Sequence, residues 1–235
     1  MDLYICGNKI DDFPLIAGAL NDKDVNNLEL SSVSPADLVE LRVDMFEDIA
    51  PSHVEHVFRK AKEKFRKPVI ATIRDRREGG VKDLPDRAEV YSLVARHSEI
   101  IDIEIGSEEI FKRVRNMAHW KGLLIGSYHN FGYTPEDEAL EEIVSKGRES
   151  GADMVKIATT AQDRDDLLRL IVLTLRHREH GIITISMGDE GLPSRIFTPL
   201  CGSLITYGFV THPTAPGQLS ISELLYIFRR LRIRC

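Results

Sequence analysis

The chain has 235 residues, enough for one barrel-sized domain or two smaller ones. Its composition, with 43% hydrophobic and 29% charged residues, is close to the average of globular proteins and excludes a fibrous, coiled-coil or disordered chain. The formal net charge is -6 and the lysines and arginines are scattered, which argues against a nucleic-acid or anionic-membrane partner.

Short apolar runs rich in β-branched residues alternate with longer amphipathic segments along the chain. The predicted strands, in chain order, are LYIC from Leu3, DLVELRV from Asp37, PVIATI from Pro68, IIDIEI from Ile100, LLIGSY from Leu123, DMVKIA from Asp153, IITISM from Ile182 and SLITYG from Ser203. Most are nearly continuously apolar, which is typical of parallel strands covered on both faces. The clearest predicted helices begin at His53, Pro85, Pro135 and Arg164, whereas the segment before Ser34 predicts only a short or irregular helix.

This alternation predicts repeated βα units. Eight strands and eight helices in a chain of this length fit a (β/α)8 TIM barrel, and we expect a single domain over residues 1–235. An open doubly wound sheet is the alternative architecture. Catalytic groups of a barrel lie at the carboxyl ends of its strands, so polar residues at those ends form the candidate site.

Lys156 interrupts the apolar run DMVKIA, where a buried ammonium group needs a partner or a function. A desolvated lysine at a barrel mouth is a nucleophile toward carbonyl groups, so we predict that Lys156 forms a Schiff base. A core salt bridge is the alternative. His129 directly follows LLIGSY on the neighbouring strand, which makes it a candidate proton shuttle beside Lys156, and a plain surface histidine is the alternative.

Further charged residues follow the second and third predicted strands. Glu40, Arg42 and Asp44 share one face by the two-residue period of a strand. This pattern predicts either a lumen network that orients substrate hydroxyls or a purely structural ladder. Arg74 ends the third strand, and Glu78 follows beside paired glycines, where it is either solvated or turned toward the histidine.

Two loops late in the chain indicate anion binding. Arg195 follows the seventh predicted strand and Gln218 the eighth, where barrels often bind anions. A guanidinium binds a carboxylate bidentately, so we expect a substrate carboxylate at this end. Neither loop is a Walker or dinucleotide motif, and we therefore expect neither ATP nor NAD.

The remaining cysteines and histidines suggest no metal or disulfide chemistry. We predict free thiols in a reducing compartment, because the three cysteines are widely spaced; they are Cys6, Cys201 and Cys235. The histidine pairs with helical spacing lack a third ligand, so we predict no zinc site; the pairs are His53/His56 and His177/His180. The first residues lack a signal-peptide pattern and no run is apolar enough to span a bilayer, so we expect a cytoplasmic protein.

These residues together closely resemble one family, type I 3-dehydroquinate dehydratase, the Schiff-base enzyme of the shikimate pathway of aromatic amino-acid biosynthesis. The likeness runs from about Ala36 to the C-terminal helix and depends on several motifs in family order. They are ELRVD at Glu40, TIRDRREGG at Thr72, SYHNF at Ser127, ADMVKIA at Ala152, SMGDEGLPSR at Ser186 and APGQ at Ala215. The region before Ser34 looks shortened, so no substrate contact is carried over from the first strand.

The resemblance implies a reaction and a set of roles. The reaction is conversion of 3-dehydroquinate to 3-dehydroshikimate and water, in a (β/α)8 barrel that is usually a homodimer and uses neither metal nor organic cofactor. Lys156 matches the imine-forming lysine, His129 the general acid/base, and Glu78 the carboxylate that pairs with this histidine. The matching substrate-binding positions are Glu40, Arg42, Arg74, Arg195, Thr214 and Gln218, with Met187 and Tyr207 as apolar walls. The chain departs from the family pattern at Asn130, Tyr207 and Thr214, where Asp, Phe and Ser are frequent.

Two other functions remain compatible with the residues alone. A class I aldolase also uses a lysine imine in a barrel, and its substrate would carry a phosphate. A non-catalytic barrel could bind a small anion through Arg195 while Lys156 is merely paired with a buried carboxylate. A covalent adduct on Lys156 separates both enzymes from the binding protein.

Overall fold

A computed structural model describes residues 3–10, 13–84 and 86–233 of the chain. Pro85, where one helix was predicted to begin, and Cys235, one of the predicted free thiols, lie outside the described residues. Cys6 and Cys201 are free cysteines. No helix in the described ranges has the length and apolar character needed to cross a membrane.

Parallel strands form one continuous sheet, and short apolar runs supply them. They are β3 (Leu15–Leu20), β4 (Leu38–Arg42), β5 (Val69–Thr72), β6 (Ile100–Glu104), β7 (Leu123–Asn130), β8 (Met154–Thr160), β9 (Ile182–Met187) and β10 (Ile205–Phe209). The order in the sheet is β10, β3, β4, β5, β6, β7, β8, β9. Leu204 N donates a hydrogen bond to Ile182 O (3.0 Å), which joins the two edges at the amino ends of β9 and β10. The TIM barrel is therefore confirmed, and the doubly wound sheet is excluded.

The predicted first strand is wrong. LYIC supplies only the two-residue β1 (Tyr4–Ile5), which turns at Cys6 and Gly7, both with positive φ, and pairs antiparallel with β2 (Asn8–Lys9). The first barrel strand is instead β3, between β10 and β4. Half of its sequence LIAGAL is Ala or Gly, which have weak intrinsic strand preference, and burial between two neighbouring strands determines its conformation.

Helices cover the outside of the sheet. They are α1 (Asp22–Asn27), α2 (Pro51–Phe65), α3 (Arg87–Val94), α4 (Glu108–Arg115), α5 (Asp137–Glu149), α6 (Arg164–His177), α7 (Ser194–Leu200) and α8 (Ile221–Arg230). The short helix expected before Ser34 is α1, which begins with a capping box between Asn21 and Asp24. The predicted helices from His53 and Arg164 are confirmed as α2 and α6.

The lumen has an apolar floor and a charged upper part. Ile70, Ile100, Ile125 and Met154 belong to one buried cluster, to which the N-terminal hairpin contributes Leu3, Ile5 and Ile10. The hairpin thus closes the amino end of the barrel. The charged side chains of the lumen therefore lie at the opposite end of the barrel, where the carboxyl ends of the strands are.

If the hairpin is part of the core, Ile5→Ala should lower the free energy of unfolding by about 2–4 kcal/mol, because it leaves a cavity at a side chain that is 5% exposed. The neighbouring Tyr4 is 53% exposed, so Tyr4→Ala should change it by less than about 0.5 kcal/mol. Urea denaturation of both variants makes the comparison. Equal effects would show that the hairpin does not seal the barrel.

Candidate active site

Every side chain predicted for the site lines one pocket at the carboxyl ends of the barrel strands. These residues are Glu40, Arg42, Arg74, Glu78, His129, Lys156, Met187, Arg195, Tyr207, Thr214 and Gln218. The pocket is completed by Gly79, Phe131, Ala158, Ile185 and Ala215. The structure therefore brings the predicted residues together, while their individual roles stay predictions.

Lys156 projects from β8 into the lumen and is only 4% exposed. Its Nζ donates a hydrogen bond to Asp102 Oδ2 (3.0 Å) and lies 3.9 Å from Glu40 Oε1. The same atom lies 4.1 Å from the centroid of the Tyr207 ring. Lys156 thus has the carboxylate partner that a buried ammonium requires, and it also faces the pocket.

Asp102 is shared between two cations. Arg74 Nη2 donates to Asp102 Oδ1 (2.8 Å), as does the Ser127 hydroxyl (2.6 Å), and Lys156 occupies the other carboxylate oxygen. Burial alone would raise the pKa of Asp102, but Arg74 and Lys156 outweigh burial and hold that pKa well below its usual range. Asp102 is therefore a permanent carboxylate.

Arg74 is also held by Glu104. Its Nη1 donates to Glu104 Oε1 (3.0 Å), while Arg87 Nη1 donates to Glu104 Oε2 (2.7 Å). Burial alone would lower the pKa of Arg74, but Asp102 and Glu104 raise it above the ordinary value. The guanidinium therefore keeps its charge, and its position is fixed from two sides.

Asp102 and Glu104 were missed by the sequence analysis. The signal was present, because both acids interrupt the apolar run IIDIEI at the two-residue spacing that puts them on one face of a strand. This is the same kind of signal that identified Lys156.

His129 and Glu78 form a pair at the mouth of the pocket. Glu78 Oε2 lies 3.0 Å from His129 Nδ1 and also accepts a hydrogen bond from His129 N (3.0 Å). The loop carrying Glu78 folds back tightly, since a Cβ on Gly80 would lie 2.0 Å from Arg74 O. With Nδ1 occupied by Glu78, the other ring nitrogen, Nε2, is left for a ligand.

Burial shifts both groups of this pair. It lowers the pKa of His129 well below the ordinary value, with the Arg74 and Lys156 cations adding to the effect, so the imidazole is neutral in the empty pocket. Burial also raises the pKa of Glu78 to about 7, although Arg74 opposes this. Both shifts favour the uncharged forms, so Glu78 titrates near pH 7 while the imidazole stays neutral there.

The structure differs from the prediction that Glu40, Arg42 and Asp44 share one face of a strand. β4 ends at Arg42, and Asp44 lies in the following 3-10 turn, Val43–Met45, fully buried behind the pocket lining. Arg42 Nε and Nη2 donate to the two Asp44 oxygens (2.9 and 2.8 Å). Glu40 accepts from the Thr72 hydroxyl (2.8 Å). Asp44 thus positions Arg42, while Glu40 and Arg42 face the pocket.

The opposite wall holds Arg195, which is 2% exposed. Its Nη1 donates to Tyr207 O (3.2 Å), but its Nε and Nη2 have no hydrogen-bond partner within the described part of the chain. Burial lowers the pKa of Arg195 to about 10, which still leaves a cation at neutral pH. Gln218 Oε1 accepts from Thr214 N (2.7 Å), so the amide nitrogen of Gln218 is left to donate. This wall has donors that suit an anion.

Among the described residues, no three histidine, cysteine or carboxylate side chains are grouped to hold a metal ion. His53 instead lies 3.2 Å from Asp22 Oδ2, and His177 lies 2.7 Å from Glu141 Oε2. The Nδ1 atom of His53 also lies 3.9 Å from Asp48 Oδ2, so both histidines are paired with carboxylates.

Comparisons with known proteins agree on one family. Residues 14–234 match the family model of type I 3-dehydroquinase, so the likeness begins before Ala36 and includes β3. The 3-dehydroquinate dehydratase of Thermodesulfovibrio yellowstonii is 40% identical over 226 residues, which cover 96% of this chain and 99% of the relative. The type I enzyme from Clostridium difficile, solved with covalently modified comenic acid, has a TM-score of 0.87 at 28% identity and covers 98% of this chain and 97% of its own. The Aquifex aeolicus enzyme gives 0.79 at 31% identity, with 92% and 98% covered.

The raised pKa of Glu78 predicts a pH-dependent cost in stability. The folded state holds a proton on Glu78 up to about pH 7, whereas the ordinary value is 4.5, so stability falls as pH rises between these values. Glu78→Gln removes this loss. Its stability relative to the parent should therefore rise by on the order of 2 kcal/mol from pH 4 to pH 8. Urea unfolding of both proteins across this range measures it, and a pH-independent difference would contradict the assignment.

Proposed function

We propose, because this chain belongs to the type I 3-dehydroquinase family, that it dehydrates 3-dehydroquinate through a Schiff base on Lys156. Membership makes the chain a 3-dehydroquinate dehydratase, a hydro-lyase of the shikimate pathway. In the proposed mechanism, Lys156 and His129 are the catalytic residues. Glu78 is a positioning residue that acts through His129.

The proposal is supported above all by three groups around one pocket: a lysine, a histidine–carboxylate pair, and a buried guanidinium with two nitrogens that lack an acceptor among the described residues. Ser127 pairs with Lys156 in the register of β7 and β8, and His129 pairs with Ala158 two residues later. His129 therefore lies one step nearer the mouth than Lys156, on the same face. The Clostridium difficile relative was solved with covalently modified comenic acid, which also supports covalent chemistry in this family.

Imine formation comes first in the proposed reaction. Lys156 loses a proton to His129, whose imidazole is neutral in the empty pocket, and its free amine attacks the ring ketone. His129 carries this proton and a second one from the nitrogen to the carbonyl oxygen, which leaves as water. The nitrogen is then a protonated imine, and the imidazole is neutral again. That cation draws electrons from the neighbouring carbon and makes its proton acidic.

Elimination follows from the same two residues. His129 Nε2 takes the acidified proton, because Nδ1 is held by Glu78. The enamine then expels the neighbouring hydroxyl, and the protonated imidazole returns its proton to the leaving oxygen. Hydrolysis of the product imine releases 3-dehydroshikimate and restores the amine.

The other pocket residues bind the substrate. We infer that Arg195, with Nε and Nη2 unpaired in the described residues, accepts the substrate carboxylate, and that Gln218 and Thr214 close this end. Glu40, Arg42 and Arg74 lie on the opposite side, where charged groups suit ring hydroxyls; Met187 and Tyr207 provide apolar contacts.

Several expectations stay predictions. These are a single domain over residues 1–235, a homodimer, a cytoplasmic location and a reaction without a metal or organic cofactor. The resemblance implies the dimer and the cofactor-free reaction, and composition and pattern favour the other two.

The central prediction separates imine formation from proton transfer. In His129→Ala, borohydride with 3-dehydroquinate should still trap a substrate adduct on Lys156, although more slowly, because the imidazole also carries protons in condensation. Turnover should fall by at least about 10²–10⁴-fold for lack of the base. In Lys156→Ala, both the adduct and nearly all turnover should disappear. Intact-protein mass spectrometry with peptide mapping locates the adduct, and ultraviolet absorbance of the conjugated enone measures turnover.

Three results would count against the mechanism. An adduct on another lysine, or none at all, removes the Schiff base from Lys156. Near-normal turnover in His129→Ala removes the acid/base role. Adduct formation without the enone product favours carbon–carbon cleavage, as in an aldolase.

Removing Arg195 should weaken binding of substrate or of a carboxylate-bearing analogue by roughly 2–5 kcal/mol, since a shielded charge-assisted contact is lost. Arg195→Lys is the matched control, which keeps the charge but not the planar fork, and should lose less. Titration calorimetry measures both variants. Unchanged affinity in Arg195→Ala would move the carboxylate site elsewhere in the pocket.

A further inference from the structure

Tyr207 carries a hydroxyl for which neither the fold nor the proposed mechanism provides a partner. The residue lies on β10, lines the pocket and is 4% exposed. Its Oη is buried and, within the described ranges, forms no hydrogen bond. A buried unpaired hydroxyl costs about 1–3 kcal/mol, so its retention needs a reason.

The hydroxyl is a donor in the empty pocket. Burial, together with the carboxylates of Glu40 and Asp102, raises the pKa of Tyr207 well above its ordinary value, so the phenol keeps its proton. The nearby carboxylates already have partners: Asp102 binds Arg74, Ser127 and Lys156, and Glu40 accepts from Thr72. Because none of them accepts a hydrogen bond from Tyr207, we look for its acceptor in a ligand.

The position of Lys156 indicates which ligand atom this is. Lys156 Nζ lies 4.1 Å from the centroid of the ring that carries the hydroxyl. A ketone attacked by Nζ must bring its oxygen into the same volume, because that oxygen is bonded to the attacked carbon. The other donors there are engaged, since Arg74 binds Asp102 and Glu104. Arg195 is paired only with Tyr207 O, but its free nitrogens are assigned to the substrate carboxylate.

We propose that the Tyr207 hydroxyl is a further catalytic residue, which donates a hydrogen bond to the ketone oxygen while Lys156 adds to it. The inference depends on the proposed Schiff-base mechanism and extends it. As the nitrogen–carbon bond forms, the π electrons of the carbonyl move to oxygen, and Tyr207 stabilises the developing negative charge. The two protons that the lysine nitrogen loses, carried by His129, are the two that leave with oxygen as water. Tyr207 keeps its own proton throughout.

Tyr207→Phe tests this role, because it keeps the ring against Lys156 and removes only the oxygen. Both proteins compared carry His129→Ala, which blocks elimination and leaves solvent to carry the two protons in each. The borohydride-trapped adduct on Lys156 then compares condensation with and without the hydroxyl. At saturating 3-dehydroquinate, the rate of adduct accumulation should fall about 10-fold, as expected for one hydrogen bond to a developing charge. When Tyr207→Phe is the only substitution, kcat should equal that of the parent enzyme or be lower.

Thermal unfolding of the ligand-free proteins distinguishes this role from a structural one. Tyr91 is the matched control, because its buried hydroxyl donates to Asp102 O (2.6 Å) and accepts from Ile73 N (3.1 Å). Tyr91→Phe should therefore lower Tm, whereas Tyr207→Phe should leave it unchanged or raise it.

Each other outcome overturns the inference. An unchanged rate of adduct formation at saturation, with or without weaker binding, means that Tyr207 does not act on the ketone oxygen. A lower Tm in Tyr207→Phe means that the hydroxyl has a protein partner. Either result leaves the proposed mechanism intact, whereas absence of a Lys156 adduct in the parent His129→Ala protein refutes the mechanism and the inference together.

Discussion

The cost of burying charge inside the barrel governs the rest of the site. Lys156, Asp102 and Arg74 are each nearly inaccessible to water, and a buried charge is tolerated only with a partner of opposite sign. Lys156 and Asp102 lie on parallel strands whose alternate residues face the lumen, and Arg74 follows the end of β5, so the three side chains meet above an apolar floor. Asp102, the shared partner, is held ionised between the two cations. This arrangement fixes Lys156 in position and leaves its amine at the pocket.

The pocket groups that lack a hydrogen-bond partner among the described residues indicate which ligand fits the site. The described residues satisfy Arg74, Asp102 and Glu104, but they leave two nitrogens of Arg195 and the hydroxyl of Tyr207 without acceptors. A guanidinium suits an anion, and a phenol that keeps its proton suits a hydrogen-bond acceptor such as a ketone oxygen. A molecule with a carboxylate at one end and a ketone at the other provides both. The histidine–glutamate pair lines the same pocket, with a neutral imidazole whose Nε2 is not engaged by Glu78.

The alternation of apolar runs and amphipathic segments predicted the barrel. Polar residues that interrupt or follow the apolar runs predicted the candidate site. Lys156 stands out in an apolar strand, and the same signal in IIDIEI would have identified Asp102. The first barrel strand was missed because half of LIAGAL is Ala or Gly, which have weak strand preference. The segment does not indicate a strand unless its neighbouring strands are known. Asp44 was misplaced because the period of a strand does not reveal where the strand ends. The unpaired hydroxyl of Tyr207 was invisible in the sequence, since a missing partner is a property of three-dimensional packing alone.

Exchange of the ketone oxygen with solvent tests the central claim, that Lys156 is the imine-forming residue, most directly. Each cycle of imine formation and hydrolysis replaces the carbonyl oxygen of the substrate by one from water. In water enriched in oxygen-18, the His129→Ala protein should label 3-dehydroquinate faster than spontaneous hydration does, as followed by mass spectrometry of recovered substrate. The double variant that also carries Lys156→Met should return the exchange to the uncatalysed rate. Equal exchange with and without Lys156 would contradict the account.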